Sequence, residues 1–444
     1  MGRADPVGAQ ARRVCQSAAA CVKRIRYGYR GSFRSSGLLC KKWLMAKPAR
    51  HSFPEPRLIV RTDDLAETVS RLRNEPFVTV DTEFMRERTY WPELCLVQLA
   101  GASEVALVDA LAPGLDLTPL AELFDDTSVV KVLHAARQDL EIFLHLFDRL
   151  PTPMFDTQVA AMVAGYGEQV GYDNLVGALT GAVIDKSHRF TDWSARPLSQ
   201  AQLTYAAADV THLRDVYEHL LRILAREERG AWVASEQAAL SDPERLRVDP
   251  ERQWERLKAR TGNRRMLGVL RAIAAWREIE AQNANIPRQR MLKDESLLEI
   301  AATAPRTVEA LARVRGVTRG FAEGKSGAGL LEAVEIALEL PDAELPRPAR
   351  GKGVDGPRAS PALVALLKVL LAHQCEKHDV AQKLVATSDE LDAFALEQDQ
   401  AGPIMTGWRR DVFGEEALAL CEGRLSLGVK GDRVELIRKG DAPT

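Results

Sequence analysis

From Leu58 onwards the hydrophobic and polar positions recur with the periods of helices and strands. A cap at Thr62 and acids in the first turn predict a helix that ends near Arg73. Three short runs rich in β-branched and apolar residues follow, at 77–82, 94–100 and 105–109. Strands so close together in sequence predict an antiparallel meander.

The next segment predicts a helix at 119–124, a strand at 129–134 and an amphipathic helix at 137–147. Helices are then predicted near 157–165, 172–180 and 200–226. Strands first and helices afterwards are typical of a mixed α/β domain, here over residues 55–228.

Two helical domains are predicted after a break near Ser241. The first spans residues 250–340 and the second spans 361–436. A linker rich in proline and glycine is predicted between them, over residues 341–360.

Composition narrows the class of protein. The 444 residues are 46% hydrophobic and 27% charged, which excludes a globally disordered chain. No apolar run is long enough to span a bilayer, so no membrane partner is expected. The six cysteines form no CxxC pair, which argues against a disulfide scaffold or a zinc ribbon.

The amino-terminal segment differs from the rest of the chain. Residues 1–44 carry a net charge of +9 and the remainder carries −11. We treat residues 1–50 as a basic extension outside the fold. Three interpretations stay open: translation that begins at Met45, a transit-type segment or basic arm, and an ordered role.

The first candidate site residues are two acids at the end of the first predicted strand. Asp81 and Glu83 are two residues apart, so a strand places both on one face. Two neighbouring carboxylates after an apolar run repel each other, and a hard divalent cation would relieve that repulsion.

Three further residues join them. Asp139 follows the fourth strand, and Tyr205 precedes Asp209 by four positions, which places both on one helical face. Each motif alone is common on protein surfaces, so the argument rests on their order and context.

Together these motifs resemble the DEDD superfamily of 3′→5′ exonucleases, in its tyrosine-containing branch. The resemblance covers residues 55–228 and implies a ribonuclease H-like domain with a mixed sheet. The segment from Lys186 to Leu198 is similar to the one that precedes the third motif in the ribonuclease D family.

The two helical stretches resemble HRDC domains, which bind nucleic acids or proteins. The first carries Asn285, Pro287 and Gly316 at the matching positions. The second matches more loosely, through Gly407 to Arg410. Two all-α HRDC-like domains after an exonuclease are the layout of bacterial ribonuclease D.

The resemblance implies two-metal hydrolysis of phosphodiester bonds that releases nucleoside 5′-monophosphates, with two Mg²⁺ or Mn²⁺ ions as cofactors. Asp81 would bridge both ions, Glu83 and Asp209 would complete the site that activates water, and Asp139 would serve the second ion. Tyr205 would orient the water, because a phenol with a pKa of about 10 is a poor base.

Substrate binding needs cations and stacking surfaces. Near the site we expect these to be Lys186, Arg189, Trp193 and Arg196. In the first helical stretch, Arg264 and Arg265 belong to a basic cluster around Trp254. The other members of this cluster are Arg252, Arg256, Lys258 and Arg260, extended by Arg277, Arg288, Arg290 and Lys293. A solvated helix face is the alternative.

The leading hypothesis is a monomeric, cytoplasmic 3′→5′ exoribonuclease that acts on RNA with a free 3′ end, chiefly tRNA precursors. A DNA 3′→5′ exonuclease is an alternative, but no polymerase or helicase domain follows. A non-catalytic RNA-binding scaffold is the other, which the joint presence of all four carboxylates and the tyrosine disfavours.

Overall fold

The computed structural model describes residues 55–259, 261–347, 359–398 and 402–439, so the predicted basic extension lies outside the described residues. The first domain contains a six-stranded mixed sheet. Its strands are β1 (Arg57–Ile59), β2 (Phe77–Met85), β3 (Glu93–Ala100), β4 (Val105–Asp109), β5 (Val130–Leu133) and β6 (Met154–Asp156).

The order across the sheet is β1-β4-β3-β2-β5-β6. Strands β2, β3 and β4 pair antiparallel, which confirms the predicted meander. Strands β1, β5 and β6 join the sheet in parallel. The sequence did not predict β1 and β6, because a strand of three residues carries too few positions to show alternation.

Eight helices accompany the sheet in the described part of this domain. They are α1 (Thr62–Leu72), α2 (Thr118–Asp125), α3 (Arg137–Phe147), α4 (Thr157–Val163), α5 (Tyr172–Thr180), α6 (Gln200–Arg226), α7 (Gly230–Leu240) and α8 (Pro243–Leu246). Helices α1 to α6 follow the predicted ones closely. The packed region continues through α7 and α8, beyond the predicted boundary at 228, since Leu246 belongs to the core.

Alternation along the strands divides the core between the two faces of the sheet. Val78 and Val80 of β2 pack with α1, α2 and α3 on one face. On the other face, Leu96 of β3 and Leu107 of β4 pack against Ala206 and Val210 of α6. The residues of β2 that point toward α6 include the candidate carboxylates, so this long helix covers the sheet where the chemistry is expected.

The first helical region confirms the predicted helical content. A 3-10 turn (Pro250–Arg256) precedes α9 (Arg264–Asn283), α10 (Arg288–Met291), α11 (Asp294–Thr303), α12 (Val308–Leu311), α13 (Arg319–Glu323) and α14 (Lys325–Glu339). The start of the predicted linker packs on this region, because Arg264 donates to the carbonyl oxygens of Asp342 and Leu345 at 2.8 and 2.7 Å. Residues 348–358 of that linker lie outside the described residues.

The second helical region is only partly as predicted. It contains α15 (Pro361–His378), α16 (Gln382–Val385), α17 (Ser388–Glu397), a 3-10 turn (Pro403–Met405), α18 (Gly407–Arg409), a π-helical turn (Arg410–Gly414) and α19 (Glu415–Cys421). The prediction of an all-helical stretch to 436 was wrong, because Leu425–Lys430 and Arg433–Arg438 form a β-hairpin. Its turn places Gly431 at a φ of +65°, as the first central position of a type II′ turn requires.

Both helical regions dock on the first domain. The backbone N–H of Trp91 donates to Asn285 Oδ1 at 3.0 Å, which ties the loop after β2 to the turn that follows α9. On another side, the backbone N–H of Ala381 donates to the carbonyl oxygen of Met162 at 3.0 Å. Helices of the described residues are all too short or too polar to cross a membrane.

Candidate active site

The candidate site is built on β2, the strand that lies between β3 and β5 near the middle of the sheet. Asp81 stands opposite Gln98 of β3, and Glu83 stands opposite Leu96. Both acids therefore project from the same face as Leu96, toward α6. The register shifts just after Glu83, so the strand changes course immediately beyond the two acids.

Helix α6 supplies the next pair. It begins at a complete capping box, in which the Ser199 and Gln202 side chains each bond the other's backbone N–H. Tyr205 and Asp209 follow one turn apart on one face of this helix, and both line the same cavity. The Tyr172 hydroxyl of α5 donates to the Asp209 carbonyl oxygen at 2.5 Å, which fixes this turn of the helix against α5.

Three of the four predicted carboxylates converge. Oxygens of Asp81, Glu83 and Asp209 all lie within 4.8 Å of one another. Asp139, near the start of α3, lines the same cavity but is not part of this group. Its carboxylate accepts a hydrogen bond from the hydroxyl of Thr82, the residue between the two β2 acids.

Burial raises the pKa of all four acids, and repulsion by neighbouring acids of the cluster adds to the shift at Asp81 and Glu83. Burial raises the pKa of Glu83 to about 9, and the charges of Asp209 and Asp139 add to the shift. Burial likewise raises the pKa of Asp139 and of Asp209 to about 7. The pKa of Asp81 also lies well above its ordinary value, chiefly because the carboxylate is desolvated and then because Asp209 is close.

Such a cluster fits hard divalent cations. The donors are all carboxylate oxygens, which suit Mg²⁺ and Mn²⁺ better than Zn²⁺. The positive charge of Arg189 lowers the pKa of Glu83 and of Asp209. Both pKa values nevertheless stay raised, so the cations of the protein do not neutralise the cluster. Asp81, Glu83 and Asp209 could hold one ion directly, and Asp139 could help to hold a second.

Tyr205 faces the same cavity, with its ring centroid 6.0 Å from that of Trp193. Burial and the charge of Asp209 raise the pKa of the Tyr205 phenol, so the group stays protonated at neutral pH. Tyr205 can therefore donate a hydrogen bond to a water or a phosphate oxygen.

The cavity that contains these groups has a volume of about 860 Å³. Its wall includes Arg86 and Arg88 from the loop after β2, and the segment that leads from α5 to α6. His134 also reaches the wall, where its ring nitrogens contact Thr157 Oγ1 at 3.0 Å and the Val170 carbonyl oxygen at 3.2 Å. Both ring nitrogens of His134 are therefore engaged within the fold.

Lys186 and Arg189 both line the cavity, as a role in substrate binding requires. Lys186 forms an ion pair with Asp173 at 2.6 Å and stays half exposed. Arg189 is exposed, and its guanidinium lies 5.3 Å from the centre of the Phe190 ring. Both cations can therefore still meet a phosphate.

The structure gives Trp193 and Arg196 other roles. Trp193 is only 2% exposed and packs in the core beneath α6, so it cannot stack on a base. Arg196 donates to Asp109 through two nitrogens, at 2.6 and 2.8 Å, and to the Cys95 carbonyl oxygen at 2.9 Å. The expectation that these two residues contact substrate was wrong, because both anchor the segment to the sheet.

The basic cluster of the first helical region is also largely committed to the fold. Arg264 binds carbonyl oxygens of the predicted linker, and Arg265 donates to the Leu340 carbonyl oxygen at 2.5 Å and to Asp342 at 2.7 Å. Arg277 is buried against Asp294, and Arg288 pairs with the buried Glu278. The prediction that Arg264 and Arg265 contact substrate is therefore not supported. Arg260 lies outside the described residues.

Several functional candidates escaped the sequence argument. Thr82 holds Asp139, and Tyr172 holds the backbone of Asp209. Phe190 is 91% exposed on the cavity wall. Only Thr82 carried a usable signal, because it stands between two acids on a strand whose other face packs against α3.

Known proteins match this architecture. Residues 56–225 match the family described as 3'-5' exonuclease, and residues 266–334 match the HRDC domain family. Ribonuclease D of Gluconacetobacter diazotrophicus is 68% identical over 393 residues, which cover 88% of this chain and all of that protein. Ribonuclease D of Granulibacter bethesdensis is 62% identical over 396 residues, or 89% of this chain and all of that protein.

A solved structure agrees with these relatives. The crystal structure of Escherichia coli RNase D, described as an exoribonuclease involved in structured RNA processing, superposes with a TM-score of 0.71 at 30% identity. The match covers 83% of this chain and 99% of the other. The exonuclease domain and the helical regions thus occur together in a known protein.

Proposed function

The chain belongs to the ribonuclease D family and is a 3′→5′ exoribonuclease, and on that premise we propose that it trims the 3′ tails of structured RNAs, tRNA precursors above all. Two divalent ions, Mg²⁺ or Mn²⁺, serve as cofactors. The observation that carries the proposal is the convergence of Asp81, Glu83 and Asp209 within 4.8 Å in a cavity that Tyr205 also faces. The protein acts as a monomer in the cytoplasm, where its three described cysteines can remain free thiols.

The four acids would have separate roles in metal binding. Bound ions would supply positive charge for the attacking and leaving oxygens. Asp81 feels the charges of Asp209, Asp139 and Glu83 and is the ligand that both ions would share. Glu83 and Asp209 would complete the site of one ion, and Asp139, which accepts a hydrogen bond from Thr82, would serve the other.

Tyr205 acts as a hydrogen-bond donor. Because the raised pKa keeps its phenol protonated, it orients the attacking water or the scissile phosphate and does not remove a proton. Lys186 and Arg189 stand on the cavity wall and meet the phosphates of the tail. The products are nucleoside 5′-monophosphates, released one at a time from the 3′ end.

The test is a shortening assay on a tRNA with a 3′ extension, in Mg²⁺ and in Mn²⁺, beside a single-stranded DNA with the same tail sequence. We expect stepwise shortening of the RNA, with 5′-monophosphates as products and tRNA with a trimmed 3′ end. Asp209→Asn should abolish shortening, because it removes an anionic ligand from the cluster. Asp63→Asn is the matched control, since that acid is exposed on α1 and remote from the cavity.

Faster shortening of DNA than of RNA would contradict the proposed substrate. RNA that binds but is never cut, in either metal, would contradict catalysis. Equal loss of activity in Asp63→Asn and Asp209→Asn would show that the assay reports general damage instead of the site.

A further inference from the structure

The segment between α5 and α6 contributes Phe190 and Trp193 to the cavity wall, and of these two only Phe190 is exposed. Phe190 is 91% exposed and stands on the cavity wall with Lys186 and Arg189. A phenyl ring that is this exposed gains nothing from the fold, and burying it against a partner would be favourable. Trp193, the aromatic residue that the sequence favoured for stacking, is buried three positions further on.

Phe190 is exposed although its backbone is held in place. The N–H of Arg189 donates to the Lys186 carbonyl oxygen, and that of Thr191 donates to the His188 carbonyl oxygen, each at 3.2 Å. The Gln202 side chain of α6 then donates to Thr191 Oγ1 at 3.2 Å. The turn is therefore anchored to the helix that carries two of the active-site residues.

Trp193 strengthens this anchor. Its ring packs in the core beneath α6, beside the ring of Tyr205. The backbone of Phe190 is thus held in place relative to the carboxylate cluster, so little backbone entropy remains to be lost when a ligand covers the ring.

The surroundings identify the kind of ligand. Arg189 places its guanidinium 5.3 Å from the centre of the Phe190 ring, so a cation and an aromatic face lie side by side. Single-stranded nucleic acids are bound by this combination, in which cations follow the phosphates and rings stack on the bases. The carboxylate cluster on the same cavity would hold the ions that meet the scissile phosphate.

We propose that Phe190 stacks on an unpaired base of the RNA 3′ tail and so favours single-stranded ends as substrate. The proposal rests on the proposed function of the cavity and adds a residue that determines specificity. A base within a duplex already stacks on its neighbours, and its face is not free for the ring. Phe190 therefore contributes to binding only where the tail is unpaired.

The test compares Phe190→Ala with the wild type on an RNA tail that is intact or lacks one base at a defined position near the 3′ end. Stacking on an aromatic ring is worth about 1–3 kcal/mol per base, which is about 5- to 150-fold in affinity. We expect Phe190→Ala to raise KM for the intact tail by about tenfold, with kcat within about twofold. Phe190→Tyr should retain the KM of the wild type.

The missing base separates stacking from other effects. The wild type should lose about the same factor when the stacked base is removed, whereas Phe190→Ala should be insensitive to it. Val183→Ala is the matched control, because Val183 is 93% exposed in the same segment but does not line the cavity. Phe190→Ala should melt at the temperature of the wild type, since the ring is 91% exposed and contributes little to the core.

Two results would overturn the inference: an unchanged KM in Phe190→Ala, or a penalty for the missing base that is as large in Phe190→Ala as in the wild type. Stacking can be measured without cleavage in the Asp209→Asn variant. The same tails carry 2-aminopurine at the stacked position, and its fluorescence reports binding. Failure of catalysis can thus be distinguished from failure of stacking.

Discussion

The hydroxyl of Thr82 donates a hydrogen bond to the carboxylate of Asp139, 57 positions further along the chain. Thr82 projects from β2 to the face opposite Asp81 and Glu83, and Asp139 reaches it from α3. One strand thus supplies two acids on one side and fixes a third acid from the other side.

Removal of this hydroxyl should impair catalysis more than folding. We expect Thr82→Val to lower kcat/KM by about 10- to 100-fold, the range for residues that orient metal ligands. Thr82→Ser keeps the hydroxyl and should restore most of the rate. The check is steady-state kinetics on a tailed RNA at several Mg²⁺ concentrations. Equal rates for Thr82→Val and the wild type would show that catalysis does not depend on the hydrogen bond between Thr82 and Asp139.

Metal binding should depend steeply on pH. In the metal-free protein the pKa of Glu83 is about 9 and that of Asp209 is about 7, both above the values of about 4 in an unfolded chain. The folded state therefore binds more protons, and its stability falls as pH rises from about 4 to about 9. Bound cations remove this penalty, so the increase in Tm caused by Mg²⁺ should grow between about pH 6 and about pH 8.5.

Asp209→Asn is the internal control for that measurement. Without one of the repelling charges, the metal-free variant should be more stable than the wild type at about pH 8, and Mg²⁺ should raise its Tm less. Calorimetry should also show that Mg²⁺ binding releases protons. A Tm increase that is the same at every pH would refute the linkage.

The contact between the first two domains should depend on Glu278. This acid is fully buried in α9, accepts from the Tyr90 hydroxyl, and pairs with Arg288 at 2.6 Å. Glu278→Ala leaves Arg288 and Tyr90 without their acceptor and should reduce the free energy of unfolding by about 2–4 kcal/mol. Tyr90→Phe should cost about 1–2 kcal/mol. Urea unfolding measures both, and the double variant shows whether the two losses overlap.

A single change in α7 should weaken the docking of the second helical region on the first domain. Glu236 accepts from the Trp408 indole at 2.9 Å and from Arg409 at 2.6 Å, and Trp408 stacks on Trp232 with ring centroids 4.7 Å apart. Glu236→Ala should expose these indoles, shift tryptophan emission to the red and accelerate proteolysis between the regions. Arg410→Ala is the control, because the ion pair of Arg410 is with Glu415 of its own region. An identical shift in that variant would show that the change in emission does not report loss of the Glu236 contacts.

Local patterns explain which predictions succeeded. Alternation along β2 and a four-residue spacing on α6 are properties of a single element, so the shared face of Asp81 and Glu83 and that of Tyr205 and Asp209 could be predicted without knowledge of the fold. Predictions that depended on packing between elements failed more often. The orientation of Trp193 is set by a core that no local pattern describes.

Arginines near helix ends raised the same difficulty. Arg264 and Arg265 resemble a phosphate-binding cluster in sequence, but carbonyl oxygens of residues that follow α14 take up their guanidinium groups. Hydrogen bonds to backbone carbonyls depend on where a distant segment ends, and residue type gives no indication of that. The short strands β1 and β6 were not predicted for a related reason. Their pairing with neighbouring strands of the sheet, and not a pattern in their own sequence, identifies them as strands.

The position of α6 has a consequence for protein synthesis. Of the acids proposed to hold the metal ions, Asp209 is the last to be translated, and the helix that carries it ends at Arg226. Chains that have not been translated this far lack this acid and the helix that packs on β2, so we expect them not to cut RNA. Nuclease activity should appear only once the exonuclease domain can fold as a unit, after the ribosome has passed α6.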